Sequence, residues 1–231
     1  MKRHSIIRLA AVIILLMTLT ACRNDGPENH DIVLQNIVEL TDASQGRTTF
    51  HYYPQGARAP LVLTCNGEVI DTTQIHLGES LMLAYKSAEG DGAASTVGSG
   101  TSGRITPVSY GRITNLTLLQ TEAQGLDGWD ADPVYVDAIW RAGSRVNMRL
   151  RLTYSGQPRR FGLIIDKSTL ADPVPTAYLY NKRDNNDANF ERRYYVACDL
   201  APLFARAHVT ALRIIVNDAR THATSYTIPR P

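Results

Sequence analysis

Along most of the chain apolar residues alternate with polar ones at a spacing of two. Val146, Met148, Leu150, Leu152 and Tyr154 are interleaved with Asn147, Arg149, Arg151 and Thr153. That pattern predicts a strand with its apolar set on one face and its arginines on the other. In the second half the same reasoning predicts seven strands, over 133–140, 144–154, 159–166, 176–181, 192–199, 208–217 and 224–228. Turn chemistry separates them, as in Ala142-Gly143-Ser144 and Ser155-Gly156-Gln157-Pro158. Seven short strands in so short a span predict a β-sandwich. The first half predicts strands over 32–40, 47–53, 60–65, 80–87 and 104–120, the last bent or split. These fit a small Greek-key barrel or a partial sandwich. The nearest candidate for a helix is the short 200–206 segment, where Pro202 can occupy the first turn. Burying a Val or Leu contributes about 1.5–3 kcal/mol, so the inward faces suffice for a core without disulfides. Residues 122–130, with Gly125 and Gly128, form the natural boundary between the halves.

The period of two fails at the amino terminus. Lys2, Arg3 and Arg8 precede an apolar run from Leu9 to Leu19, and small residues lead up to Cys22. This is the layout of a secretory signal. The run is about half of the roughly 20 apolar residues that a spanning helix needs, so a permanent transmembrane helix is the weaker reading. Leu19-Thr20-Ala21-Cys22 looks like a bacterial lipobox, which implies that residues 1–21 are removed and that Cys22 becomes a lipidated first residue. The alternative is an ordinary signal peptide with a chance cysteine. Several acyl chains, each contributing about 0.8 kcal/mol per buried CH2, anchor a protein more firmly than one. Residues 22–30 are polar and aperiodic, as a tether is.

Cleavage changes the electrostatic picture. Loss of Lys2, Arg3 and Arg8 takes the formal charge from +2 to −1. Residues 22–126 carry 6 basic and 11 acidic groups, whereas 127–231 carry 15 basic and 11 acidic, so the halves are charged −5 and +4. Such asymmetry suits two modules, a contact between them, or an anionic surface polymer; two solvated surfaces of different composition explain it equally well. Cys65 and Cys198 lie among apolar strand residues and are expected to be buried free thiols.

Motifs for catalysis are weak. Gly98-Ser99-Gly100-Thr101-Ser102-Gly103 matches the dinucleotide fingerprint in letters, but a β-like run with Pro107 follows in place of a helix. The loop Asp184-Asn185-Asn186-Asp187-Ala188-Asn189-Phe190-Glu191 is rich in oxygen ligands. It lacks the glycine and glutamate of a calcium loop, whose positions Asn189 and Tyr195 take. The histidines are scattered, the carboxylates Asp130 and Asp132 lie beside a linker, and no nucleophile elbow occurs. No enzyme, metal or cofactor is expected. What remains is aromatic and basic: Tyr52, Tyr53, Tyr178, Tyr180, Arg192, Arg193, Tyr194 and Tyr195. Tyrosines stack on sugar rings and arginines hold anions bidentately, while period two turns about half of these tyrosines into the core. Single-stranded nucleic acid would suit the same residues, but export argues against it.

The wording of the second half, "DPVYVDAIWRAGSRVNMRLRLTYS", "FGLIIDK", "AYLYNKRDNN", "YYVACDL" and "LRIIVND", resembles the NigD-like family of candidate lipoproteins. "FHYYPQGARAPLVLTCN" and "LMLAYKS" with "SYGRITN" fit its first domain more loosely. The resemblance implies an all-β protein, with an OB-like barrel over 31–122 followed by a seven-stranded β-sandwich over 130–231. It also implies outer-membrane anchoring through lipid on Cys22, with the domains facing the periplasm or the cell surface. The family name derives from a bacteriocin locus, which suggests immunity. The family's motifs are structural and bring no catalytic signature. One departure concerns Arg23-Asn24-Asp25-Gly26, which has a single acid where surface-exported lipoproteins of such bacteria carry an acidic cluster. Asp71-Thr72-Thr73 looks like the O-glycosylation acceptor of that group, and an ordinary polar turn explains it equally well. The leading expectation is a non-catalytic binding or scaffolding protein of the envelope. The alternatives are a bacteriocin-immunity factor and a glycan-binding module, with a protein or glycan partner.

Overall fold

The computed structural model describes residues 32–87, 102–121, 132–154, 159–183 and 190–231. The signal segment, Cys22, the tether, the linker over 122–130 and positions 184–189 of the oxygen-rich loop lie outside the described residues. So do positions 98–101 of the glycine motif. From Val33 onward the chain forms one compact unit.

The first five strands are β1 (Leu34–Ser44), β2 (Arg47–Tyr52), β3 (Leu61–Asn66), β4 (Ser80–Ser87) and β5 (Gly103–Arg112). They close into a barrel in the order β1-β2-β3-β5-β4. Only the β3–β5 pair is parallel. The strand pattern predicts a small Greek-key barrel or a partial sandwich, and the closed barrel is the outcome. Val38, Leu40, Phe50, Leu63, Leu81, Leu83 and Tyr85 fill it. Alternate positions of each strand supply them, as a closed sheet requires. The Tyr85 hydroxyl is buried, and accepts a hydrogen bond from Asn36 Nδ2 at 2.9 Å. Burial raises its pKa, while Asn36 pulls the other way.

The remaining strands are β6 (Thr114–Thr121), β7 (Tyr135–Ala142), β8 (Arg145–Tyr154), β9 (Arg159–Asp166), β10 (Thr176–Arg183), β11 (Phe190–Asp199), β12 (Ala211–Asp218) and β13 (His222–Pro229). They form one sheet in the order β13-β12-β10-β9-β6-β11-β8-β7. The sheet has eight strands where the sequence predicts seven. The single run expected over 104–120 is two strands that part at Ile113, and the second leaves the barrel and inserts between β9 and β11, parallel to both. Its apolar spacing fits either sheet, so period two could not reveal the change of partner.

The sheet curls until its ends nearly meet. Val134 N–H donates to Asn217 O at 2.9 Å, and Ala219 N–H donates to Val134 O at 2.8 Å. Inside lie Val136, Met148, Leu150, Leu163, Leu179, Val196, Leu212 and Ile214. A one-turn helix, α1 (Ala201–Phe204), with Pro202 in its first turn, adds Leu203 and Phe204 to the same core. Cys65 belongs to the barrel core and Cys198 to the sandwich core; both thiols are free and buried.

Barrel and sandwich meet along a polar seam. Arg145 Nη2 donates to Gly78 O and lies 3.6 Å from Glu39 Oε1. Asn115, on β6, pairs with the Ser80 backbone in both directions at 2.8 Å. Arg141 Nη2 donates to Ala57 O at 3.5 Å. Gly143, at φ +61°, lies under the Tyr53 ring, where a Cβ would come within 2.6 Å of Tyr53 Cζ. Only glycine meets both demands at that turn.

Candidate functional site

The outer face of β7, β8 and β11 runs out from under the barrel and carries the site. Strand alternation puts Arg145, Asn147, Arg149 and Arg151 of β8 on this face, because Val146, Met148, Leu150 and Leu152 fill the core. On β11 the same logic turns Arg193 and Tyr195 outward, opposite Arg151 and Arg149 respectively. On β7, Trp140 stands opposite Asn147.

A cleft of about 390 Å³ opens where this face leaves the barrel. The sandwich side contributes Ala138, Trp140, Arg149 and Tyr195. The barrel side contributes Gln35, Asn36 and Ile37 from β1, Met82 from β4, and Tyr52, Tyr53 and Gln55 at and beyond the end of β2. Four aromatic rings therefore line one depression. Its volume lies within the range of small-molecule sites.

Charge in the cleft is set by a bulge in β7. Val136 pairs with Leu150, but the next partner of Arg149 is Ala138, so Asp137 is the extra residue. An unbulged strand would have placed Asp137 opposite Arg149. Instead Asp137 meets Arg151 Nε at 3.1 Å and approaches Arg193 Nε at 3.9 Å. Arg151 Nη1 also meets Glu191 at 3.1 Å and its guanidinium lies 4.7 Å over the Tyr135 ring. The acids around it raise the Arg151 pKa. The Arg149 side chain makes no hydrogen bond or ion pair with any described residue. Among the described residues it is the single charged one lining the cleft, and no carboxylate lines the cleft with it. Bulges commonly re-aim side chains in this way.

The tyrosines differ in environment. Burial raises the Tyr52 pKa. Tyr53 is raised first by burial and then by Glu39, with Arg145 and Arg141 acting in the opposite direction. The edge of its ring meets His51, with centroids 6.4 Å apart.

The residues singled out in the sequence do not form one patch. Tyr178 and Tyr180 stand on β10, three ladder steps from β11, about 14 Å across the sheet. Tyr194 packs against the sandwich core and Arg192 lies 6.0 Å over its ring. Arg193 belongs to the Asp137 network. Of the eight, Tyr195 lines the cleft together with Tyr52 and Tyr53 from the barrel. Trp140 and Arg149 are not among the eight, because period two gives the face of a strand but not what stands across from it. Asp71-Thr72-Thr73 is an exposed turn in which Asp71 accepts from Thr73 N and Oγ1, at 3.0 and 2.6 Å, and from Gln74 Nε2 at 2.9 Å. The Thr73 groups hold the Asp71 carboxyl below its usual range. No group of three or more His, Cys, Asp or Glu gathers to hold a metal among the described residues.

No family model and no curated protein matches the chain. Solved structures do. A protein of unknown function from Bacteroides vulgatus superposes with a TM-score of 0.66 at 14% identity, covering 87% of this chain and 92% of its own. A candidate lipoprotein from Bacteroides fragilis gives 0.59 at 12%, with coverage of 87% and 99%. A NigD-like immunity protein from Bacteroides caccae gives 0.55 at 20%, with coverage of 84% and 91%. At these identities the likeness establishes architecture: the chain shares its barrel-and-sandwich fold with proteins that include a NigD-like immunity protein and a candidate lipoprotein.

Proposed function

We propose that the protein is a lipid-anchored, non-catalytic binding protein of the cell envelope that holds a saccharide in the cleft between barrel and sandwich. One observation carries the reading: Tyr52, Tyr53, Trp140 and Tyr195 converge on a single depression from two separate sheets. Flat aromatic faces stack on the apolar faces of sugar rings, and amide and hydroxyl groups, here of Gln35, Gln55 and the tyrosines, satisfy ring hydroxyls. Anchoring rests on the lipobox at Leu19–Cys22 and is supported by the fold shared with a candidate lipoprotein. An outer-membrane address belongs to the same proposal.

The test is a glycan array probed with the mature protein and with its Trp140→Ala variant, beside cells fed a clickable fatty acid. Binding to a defined saccharide set, lost in Trp140→Ala while the variant keeps its fold, supports the cleft. Lipid label lost in Cys22→Ala supports the anchor. An array without signal sinks the saccharide reading, and label retained by Cys22→Ala sinks the anchor.

Immunity is the second reading, favoured by the fold shared with a NigD-like immunity protein. It predicts that deletion sensitises cells to one bacteriocin and to nothing else; unchanged sensitivity across a bacteriocin panel removes it.

A further inference from the structure

Resting on the saccharide reading of the cleft, we infer that the ligand is anionic, a sugar bearing a carboxylate or sulfate, and that Arg149 is the residue that reads its charge. Among the described residues, the cleft is lined by one charged side chain and by no acid to neutralise it. Among the described residues, the carboxylates nearest on this face are engaged elsewhere. Asp137 and Glu191 serve Arg151 and Arg193, and Glu39 serves Arg145 across the seam. The bulge at Asp137 is what denies Arg149 its cross-strand acid.

The setting suits an anionic group carried on a sugar ring. Arg149 stands between Tyr195 on one neighbouring strand and Ala138 on the other. A ring stacked on an aromatic face of the cleft would thus lie beside a guanidinium fork, which binds carboxylate through two parallel hydrogen bonds. Arg151 and Arg193 continue the strip outward, giving three arginines for two acids on this stretch of face. That excess positive field draws an acidic chain toward the cleft and weakens with salt. A neutral saccharide would offer Arg149 hydroxyl acceptors but no countercharge, and so would gain less from it.

The experiment is calorimetric titration of the full mature protein with tetragalacturonate, with a sulfated galactose tetrasaccharide and with neutral galactotetraose, repeated on Arg149→Gln and Arg149→Lys. The expected result is that at least one acidic probe binds ten-fold or more tighter than the neutral one and weakens as salt rises. Arg149→Gln should erase the difference without changing the melting temperature. Arg149→Lys should restore part of it, more for sulfate than for carboxylate, since a point charge lacks the fork. Which acidic probe binds tells carboxylate from sulfate. Equal affinity for acidic and neutral probes, or an acidic preference that survives Arg149→Gln, overturns the inference and leaves the saccharide cleft standing. Absence of binding by all three probes, together with a silent array, removes the cleft reading itself.

Discussion

Arg145 and Arg149 lie four residues apart on the same face of the same strand, and the fold gives them opposite roles. Arg145 is covered by the barrel and held by Gly78 O and Glu39. Arg149 emerges past the barrel rim into a cleft lined by aromatic rings and, among the described residues, by no acid. The residue type and the strand are constant, so the difference comes from what stands across from each side chain. A guanidinium that is spent on structure is paired; one that is open to a ligand has been kept apart from acids.

The covered region should respond most to alkali. Cys198 stands opposite Val146, behind Arg145, and its thiol pKa is pushed up to about 12, first by burial and then by Asp199. The folded chain therefore keeps a proton that the unfolded chain gives up near its ordinary value. Stability is fully present below about pH 9 and falls by about 1.4 kcal/mol per pH unit as pH rises toward 12. Urea unfolding at stepped alkaline pH should show this fall, and Cys198→Ala should remove this part of the slope while the buried tyrosines keep theirs; an equal slope in the variant would contradict the assignment. Next, Gly143→Ala should cost about 2–3 kcal/mol, because a positive φ and the Tyr53 ring both oppose a side chain there. Thermal melts measure it, and a loss below 0.5 kcal/mol would mean that the seam yields readily.

Arg145→Ala should cost about 1–3 kcal/mol by leaving Glu39 and Gly78 O without their partner. Arg149→Ala should stay within about 0.5 kcal/mol of wild type, since it abandons no partner. A matched pair of melting curves would break the contrast if both variants lost the same stability. The smallest effect is spectroscopic. Arg145 lowers the Tyr53 pKa, so ultraviolet titration of Arg145→Ala should move the Tyr53 transition up. Arg149→Ala should leave it in place.

Much of this was legible in the sequence. The alternation in Val146 to Tyr154 gave both faces of β8, and turn residues marked the hairpin at Ala142–Ser144. Cys65 and Cys198 read as buried because their neighbours are apolar. What sequence withheld is long-range. β6 carries the same period as its neighbours, and nothing local says that it pairs with β9 and β11 and not with a barrel strand. The cleft was hidden for the same reason, since Tyr53 and Tyr195 are far apart in sequence and meet only because two sheets dock. The bulge at Asp137, which settles the charge of Arg149, depends on one pairing register and leaves no compositional trace.

The insertion of β6 between β9 and β11 bears on how the protein is made. The ribosome releases β6 before any other strand of its sheet, yet it occupies an interior place whose neighbours are synthesised later. Its pairing cannot be completed until both sides of its slot exist, whereas its hydrogen bonds to Ser80 through Asn115 need only the barrel made before it. A gene fragment that starts after the linker would encode a sheet with a missing plank and two raw inner edges, of the kind that invite aggregation. The two halves look like modules, but they share a strand and would be inherited as one piece.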